Sequence, residues 1–501
     1  MTKETSQTPQ YEVAIIGAGF GGMGIAIKLQ EMGIDNIVIL DRASDLGGTW
    51  HINTYPGLTV DIPSLTYSYS FEPNPNWSRF YAPGAELKKY ANSVADKYKL
   101  RQYMHFNTNI KHTEYDEQNH LWTIKSEKGE SFTARLLVIA TGYLSQPNYP
   151  NIQGLENFKG KVIHTAAWDH DYDLQNKTAA VIGTGATAVQ MIPEVAKKLK
   201  QLYVHQRTPV WALPKLDGKV PRALKALYAA LPLSQKAARL ANSGLLEMIM
   251  VTGALHSKQL PFLNKGIEQF AKAHLYSQVK DKALRKKLLP TYTFGCKRPT
   301  FTNAFYPAMT RDNVDLITDG IDHIGADYIA TVDGKQRKID TLLLATGFKV
   351  WDKGAAPAFP VHGTNGLELG EFWNTERFQA YEGISIPHFP NLFYLPAPFS
   401  FTGLSYFSSI EGHMKHIERC VGEMKKQNAT SVEVKTEAND AFLEDMRSRM
   451  SSTVFMSGNC GSSNSYYFNQ HGEALFLRPT PTYVSLRSAA TYPLTDYTYR
   501  K

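Results

Sequence analysis

Two glycine clusters in this chain have the spacing at which backbone can wrap a pyrophosphate. Gly17, Gly19 and Gly22 form one GxGxxG set, and Gly183, Gly185 and Ala188 form a second in its GxGxxG/A variant. In such a turn the first glycine permits a tight bend, the second lets backbone N–H groups approach the phosphates, and the third lets helix pack on strand. The position 24 residues after each leading glycine carries opposite charge, Asp41 after Gly17 and Arg207 after Gly183. A carboxylate there accepts hydrogen bonds from the ribose hydroxyls of FAD or NAD, whereas a guanidinium pairs with a 2′-phosphate. The first unit is therefore expected to hold FAD and the second NADPH, with Thr208 beside Arg207 as a further phosphate donor.

These residues need strands and helices to position them, and the surrounding sequence supplies both. YEVAII reads as a buried strand ending at Ile16, followed by a helical stretch and a second strand that ends at Asp41; TAAVIGTGATAVQ repeats the unit. LLVIATGY, ending at Tyr143, and TLLLATGF, ending at Phe348, read as buried strands that finish in glycine-containing turns and bracket the second unit. The strand-like NLFYL, residues 391–395, returns the chain to the first unit. Ile410, Met414, Ile417, Val421 and Met424 then share one face of a core-facing helix. The expected fold is α/β, with two Rossmann-like dinucleotide-binding domains and a helical insertion. Residues 1–150 and 381–501 form the FAD domain, 151–218 and 291–380 the NADPH domain, and 219–290 the insertion.

Composition bounds the function class. The chain has 501 residues, 43% of them apolar and 20% charged, which describes a globular protein with room for several cores. The net charge of +8 is not a nucleic-acid signature, because it has one source. Residues 219–290 hold thirteen Lys/Arg against Glu247, Glu268 and Asp281, so that segment carries +10 and the rest of the chain −2. Two readings of the segment stand: a helical lid with a solvated positive face, or a peripheral membrane contact through residues such as Lys282, Arg285, Lys286 and Lys287. Pro232, Gly253 and Pro261 are expected to break it into short helices. The start, MTKETSQTPQ, has no secretory pattern, and a cytoplasmic location is expected. Cys296, Cys420 and Cys460 include no CxxC pair, so neither a disulfide framework nor a metal site is expected.

Two further stretches carry a family resemblance. Phe158, Gly160, His164, Trp168 and Asp169 meet the pattern FxGxxxHxxxW(P/D), and GGTWHINTYPGLTVD, from Gly47 to Asp61, meets (A/G)GxWxxxxYPGxxxD. With two dinucleotide units in order, the chain resembles the type I Baeyer–Villiger monooxygenases, relatives of the flavin-containing monooxygenases. The resemblance covers nearly the whole chain. It implies FAD contacts at Gly17, Gly19, Gly22, Asp41, Thr49, Trp50, Asp61 and Tyr67. It implies NADPH contacts at Thr59, Gly183, Thr184, Gly185, Ala186, Thr187, Arg207, Thr208 and Lys297. FGCKRPTF resembles the segment bearing the family's active-site arginine, here Arg298; on composition alone, Lys297 and Arg298 read as a solvated surface pair. Ser465-Tyr466-Tyr467 stands where many relatives have Ser-Trp-Tyr, and Ala397-Pro398 where Gly-Pro is usual.

The implied activity uses NADPH and O2 to form a C4a-peroxyflavin that inserts one oxygen atom beside a ketone carbonyl, giving an ester or lactone. Arg298 would stabilise developing negative charge as a cation that keeps its proton, with Asp61 orienting and balancing it. His164 has no ligand-spaced companion and lies in a stretch with little strand character. It is expected to be a linker residue fixing the hinge between the domains. The alternatives are an S- or N-oxygenase on the same cofactors, a disulfide reductase, which needs a redox cysteine pair, and a non-catalytic NADPH sensor.

Overall fold

The strands Tyr11–Ile16 and Ile37–Leu40 are continuous apolar runs, and both are buried, as parallel strands covered on two faces must be. The computed structural model describes residues 8–351 and 354–501; residues 1–7, where no leader is expected, lie outside them. The first sheet runs in the order Val361–His362, Ile110–Asp116, Leu121–Ser126, Ser131–Ile139, Tyr11–Ile16, Ile37–Leu40, Met104–His105, with Leu392–Tyr394 paired to Ser131–Ile139. Its parallel half carries the first glycine turn, and its antiparallel half is a meander. The helix Tyr406–Lys426 lies against the helix Phe20–Glu31 and buries Ile410, Met414, Ile417, Val421 and Met424, the face that its apolar spacing predicts.

The second sheet is wholly parallel, in the order Val314–Ile317, Gln201–His205, Thr178–Ile182, Thr341–Leu344, Lys161–His164. The architecture is α/β with two dinucleotide-type sheets, and ligands of such sheets bind at the carboxyl ends of the strands. Two crossings join the units where Gln146–Pro147 pairs antiparallel with Phe348–Lys349.

Four expectations differ from this structure. The chain returns to the first unit well before residue 381: Val361–His362 already pairs with the strand Ile110–Asp116, and Trp351 packs in the first core. His164 is not in a linker, because Lys161–His164 is an edge strand of the second sheet, with His164 opposite Leu344. Gly253 breaks nothing. The helix from Pro232 continues through a wider turn at Glu247–Val251 into Thr252–Leu255, while Pro232 and Pro261 open helices, where a missing N–H costs nothing. Finally, Cys296 and Cys460 form a disulfide across a sequence separation of 164, with Cα atoms 5.1 Å apart. Sequence distance hid a pairing that the fold brings together.

Candidate active site

Both glycine turns open onto one cavity of about 2170 Å³ between the two sheets. Gly17 has φ +115° and Gly183 φ +108°, and at each an added Cβ would sit 2.5 Å from a carbonyl oxygen, of Ala140 and Ala345 respectively. The same bend is thus made twice, beside the two crossings. Gly19 and Gly185 precede the helices Phe20–Glu31 and Ala186–Val195, and neither helix has a side-chain cap, so both present free N–H groups to the cavity. A Cβ at Gly185 would meet nothing within 4 Å, which leaves space for a phosphate against backbone. Gly22 does not face the cavity; it packs helix on turn, because a Cβ there would collide with the Gly17 carbonyl.

Asp41 follows the strand Ile37–Leu40 and accepts hydrogen bonds from the N–H groups of Ala18 (2.6 Å) and Ala43 (2.8 Å), which fixes its carboxylate at the cavity edge. In the second unit Arg207 and Thr208 follow the strand Gln201–His205 and also line the cavity. Lys297 reaches the same place from another segment. Burial, and then the neighbouring positive charge of Arg207, push the Lys297 ammonium down to about 8. Among the described residues neither cation has a carboxylate partner. Two like charges held together without a counter-ion form a site for a dianion.

Asp61 and Arg298 meet between the units. Arg298 donates from Nε to Asp61 Oδ2 at 2.7 Å and from Nη2 to Oδ1 at 2.8 Å, a bidentate pair on the cavity wall. Burial alone would raise the Asp61 carboxyl, but the Arg298 guanidinium and the more distant Lys215 outweigh it and hold the group below its usual range. Burial works against the charged Arg298, and Asp61 reverses this, keeping the guanidinium protonated. Thr49, Trp50 and Tyr67 line the wall beside the pair, with Trp50 Nε1 donating to the Tyr67 hydroxyl at 3.1 Å.

The structure adds Gln190, Lys215 and Asn464, which the sequence did not single out. Gln190, on the helix after the second glycine turn, donates to the Thr59 carbonyl (3.1 Å) and accepts from Thr59 N–H and the Tyr55 hydroxyl (3.3 Å each). Gly57 packs so tightly here that a Cβ would lie 2.4 Å from the Gln190 carbonyl. The YPG turn of the first unit is thereby clamped onto the second. Lys215 donates to Thr59 Oγ1 at 2.6 Å and secures the clamp from behind. On the far side Tyr466 and Tyr467 adjoin Arg298, and Asn464 donates to Thr208 Oγ1 at 2.7 Å. The Cys296–Cys460 disulfide fastens this tail loop to the segment carrying Lys297 and Arg298. The departure Ser465-Tyr466-Tyr467 therefore lies inside the site.

None of Phe158, Gly160, His164, Trp168 and Asp169 lines the cavity. Gly160 packs under the Asp340 carbonyl, Phe158 is buried in a small core of the second unit, Trp168 packs on its main core, and Asp169 pairs with Lys161 at 2.5 Å. The buried His164 accepts at Nδ1 from Ala166 N–H (3.1 Å), and its Nε2 lies 3.4 Å from Thr346 Oγ1. Its ring packs on Tyr149 and Phe348, so it touches both crossings. Burial lowers its proton affinity.

A family model described as pyridine nucleotide-disulphide oxidoreductase matches residues 14–227, the span of both glycine turns. It ends before Cys296, so it does not include the cysteine pair. The chain is 37% identical to a Baeyer–Villiger monooxygenase of Pseudomonas aeruginosa over 454 residues, 90% of this chain and 84% of the relative. It is 35% identical to another of Streptomyces coelicolor, over 97% of this chain and 92% of that one. The chain belongs to the Baeyer–Villiger monooxygenase family. It is accordingly an NADPH-dependent flavin monooxygenase, and the S- or N-oxygenase alternative is not favoured. Its fold superposes on a steroid monooxygenase bound to NADP with a TM-score of 0.86 and 28% identity, over 99% of this chain and all of the other.

Proposed function

We propose that this enzyme inserts one oxygen atom beside the carbonyl of an apolar ketone, giving an ester or lactone, with Arg298 and Asp61 as its catalytic pair. The observation that carries this reading is the bidentate Arg298–Asp61 pair on a cavity shared by two uncapped, glycine-led helix N-termini. In this reading Gly17, Gly19, Asp41, Thr49, Trp50, Asp61 and Tyr67 hold FAD, and Gly22 serves by packing the helix on the turn. Thr59, Gly183, Thr184, Gly185, Ala186, Thr187, Arg207, Thr208 and Lys297 hold NADPH. The reduced flavin, when bound, supplies the activation of O2.

The chain's own residues do the rest. Asp61 occupies two of the five N–H donors of Arg298, and the Tyr466 and Tyr467 hydroxyls share the rest of the guanidinium, whose free edge faces a substrate oxygen. Negative charge grows on the ketone oxygen during oxygen transfer, and a pre-oriented guanidinium stabilises it without reorganisation. Arginine cannot surrender its proton to that anion. Phe401, Leu404, Tyr466 and Phe476 line the cavity and exclude water from the charged centre. The fingerprint residues act at a distance, with His164 setting the geometry of the two crossings about which the units pivot.

The test is purified enzyme with NADPH, O2 and a panel of ketones and sulfides, followed by mass analysis for a gain of one oxygen atom. Ester or lactone from ketones is expected. Arg298→Ala should still be reduced by NADPH yet form no ester; ester formation at the wild-type rate would overturn the assignment.

A further inference from the structure

The helices Arg222–Ala230 and Pro232–Leu246, joined at Leu231, have an arrangement opposite to that of an ordinary surface helix. Several polar groups of this helical run, including Glu247 just beyond Leu246, are tied inward. Gln235 donates to the Asn74 carbonyl at 2.8 Å, Arg239 to the Leu65 carbonyl at 2.9 Å, and Glu247 accepts from Thr482 N–H and hydroxyl at 2.7 Å each. Their large apolar side chains face out: Leu231 is 51% exposed, Leu233 69%, Leu240 73%, Leu245 50% and Met248 61%. Leu233, Leu240 and Met248 recur at helical spacing, with the exposed Ala237, Ala241 and Gly244 between them. An inner face held by specific hydrogen bonds and an outer face of leucines is a surface built for an apolar partner.

Charge identifies the partner. From 219 to 260 the chain has six Lys/Arg and a single carboxylate, Glu247, which is turned inward onto Thr482. Lys219, Arg222, Lys236 and Lys258 remain exposed around the apolar stripe. A second copy of this face would set positive charge against positive charge, whereas an anionic lipid surface complements both the cations and the leucines. No helix among the described residues is long and apolar enough to cross a membrane, so the helices would lie on the surface rather than span it. The C-terminal basic cluster is a different feature. Arg285 donates to the Val279 carbonyl within the insertion and Lys287 to the Leu316 carbonyl of the second sheet, so both are engaged away from the leucine stripe.

We propose that the face of Arg222–Ala230 and Pro232–Leu246 docks the enzyme on an anionic bilayer, with the leucine stripe in the head-group region. The inner side of the same helical run packs through Leu246, Val251 and Leu255 on Leu404, which lines the active-site cavity. Docking therefore places lipid one helix away from the cavity wall, a short path for apolar substrate. The docking itself does not depend on which substrate is oxidised.

The test is flotation of the flavin-loaded enzyme with vesicles of phosphatidylcholine, alone or mixed with phosphatidylglycerol. Wild type should float with the anionic vesicles at least about tenfold more than with the neutral ones, and salt should weaken binding. The variant Leu233→Ser/Leu240→Ser/Leu245→Ser should lose flotation while turning over a water-soluble ketone at the wild-type rate, since those side chains support no core. Lys286→Gln should float normally. Failure of wild type to float, or flotation of the triple variant like wild type, overturns the proposal. So does sedimentation showing a lipid-free dimer that the triple variant dissolves, because a second copy would then cover the face.

Discussion

Removing Arg207 tests the reading of the second unit more sharply than removing any glycine, because the structure sets both a magnitude and a pH. Arg207 and Lys297 converge without a carboxylate partner among the described residues, and in the proposed reading each donates to a 2′-phosphate. A charge-assisted hydrogen bond contributes about 1.5–3 kcal/mol, so Arg207→Gln should weaken NADPH binding about 10- to 150-fold. NADH, which lacks the phosphate, should be bound as before. The pH dependence follows from Lys297. Its proton affinity in the free enzyme is depressed to about 8, so the binding-competent ammonium form is complete below that pH and lost above it. Affinity for NADPH should hold steady up to about pH 7 and fall through about pH 8. In Arg207→Gln the neighbouring positive charge is gone, so the break should move to higher pH, and in Lys297→Gln it should vanish. The assay is anaerobic reduction of the bound flavin by NADPH and by NADH, titrated at each pH. If both variants keep the wild-type preference for NADPH within about twofold, or the break persists in Lys297→Gln, the two cations do not form the phosphate site.

Further expectations concern the proposed catalytic pair, the tail and the proposed hinge. Asp61→Asn leaves Arg298 without its counter-charge in a largely enclosed site; ester formation should fall at least about 100-fold, and Tm should drop by several degrees. Product analysis and a thermal melt measure the two effects, and normal ester yield would show that Asp61 only shapes its turn. Reduction of Cys296–Cys460, or Cys460→Ser, frees the loop carrying Asn464 and Tyr466, so KM for NADPH should rise several-fold and stability fall by about 2–4 kcal/mol. Intact mass of the unreduced protein, two hydrogens lighter than the reduced form, checks that the bond exists. His164→Asn disturbs a ring wedged between the crossings, so flavin reduction or coupling should slow while FAD is retained; normal reduction with total loss of oxygenation would make His164 a chemical group.

The nucleotide units and the charge swap between Asp41 and Arg207 were legible because they are local. A strand, a glycine turn and a helix are contiguous, and a fixed offset places one residue at the end of the next strand. The apolar face of Tyr406–Lys426 was legible for the same reason, since helical period is a property of the segment itself. Arg298 and Asp61 were named through the resemblance of two motifs lying 237 positions apart. On composition alone Lys297-Arg298 read as a surface pair, because solvation of a cation cannot be judged from its neighbours in the chain.

What the tertiary structure alone decided depends on contacts between distant segments. Gln190 became a clamp only when its helix met the YPG turn, and Cys296 found Cys460 only when the tail loop folded over the cavity. His164, taken for a linker, proved to be an edge-strand residue because pairing with Leu344 is settled 180 residues further along the chain. The leucines of the insertion show the same limit in reverse. Helical period marks an apolar stripe, but only packing tells whether that stripe is inside or out. Local sequence determines period, turn and charge, whereas burial and partnership are properties of the assembled chain, and the active site is assembled where the two sheets face each other.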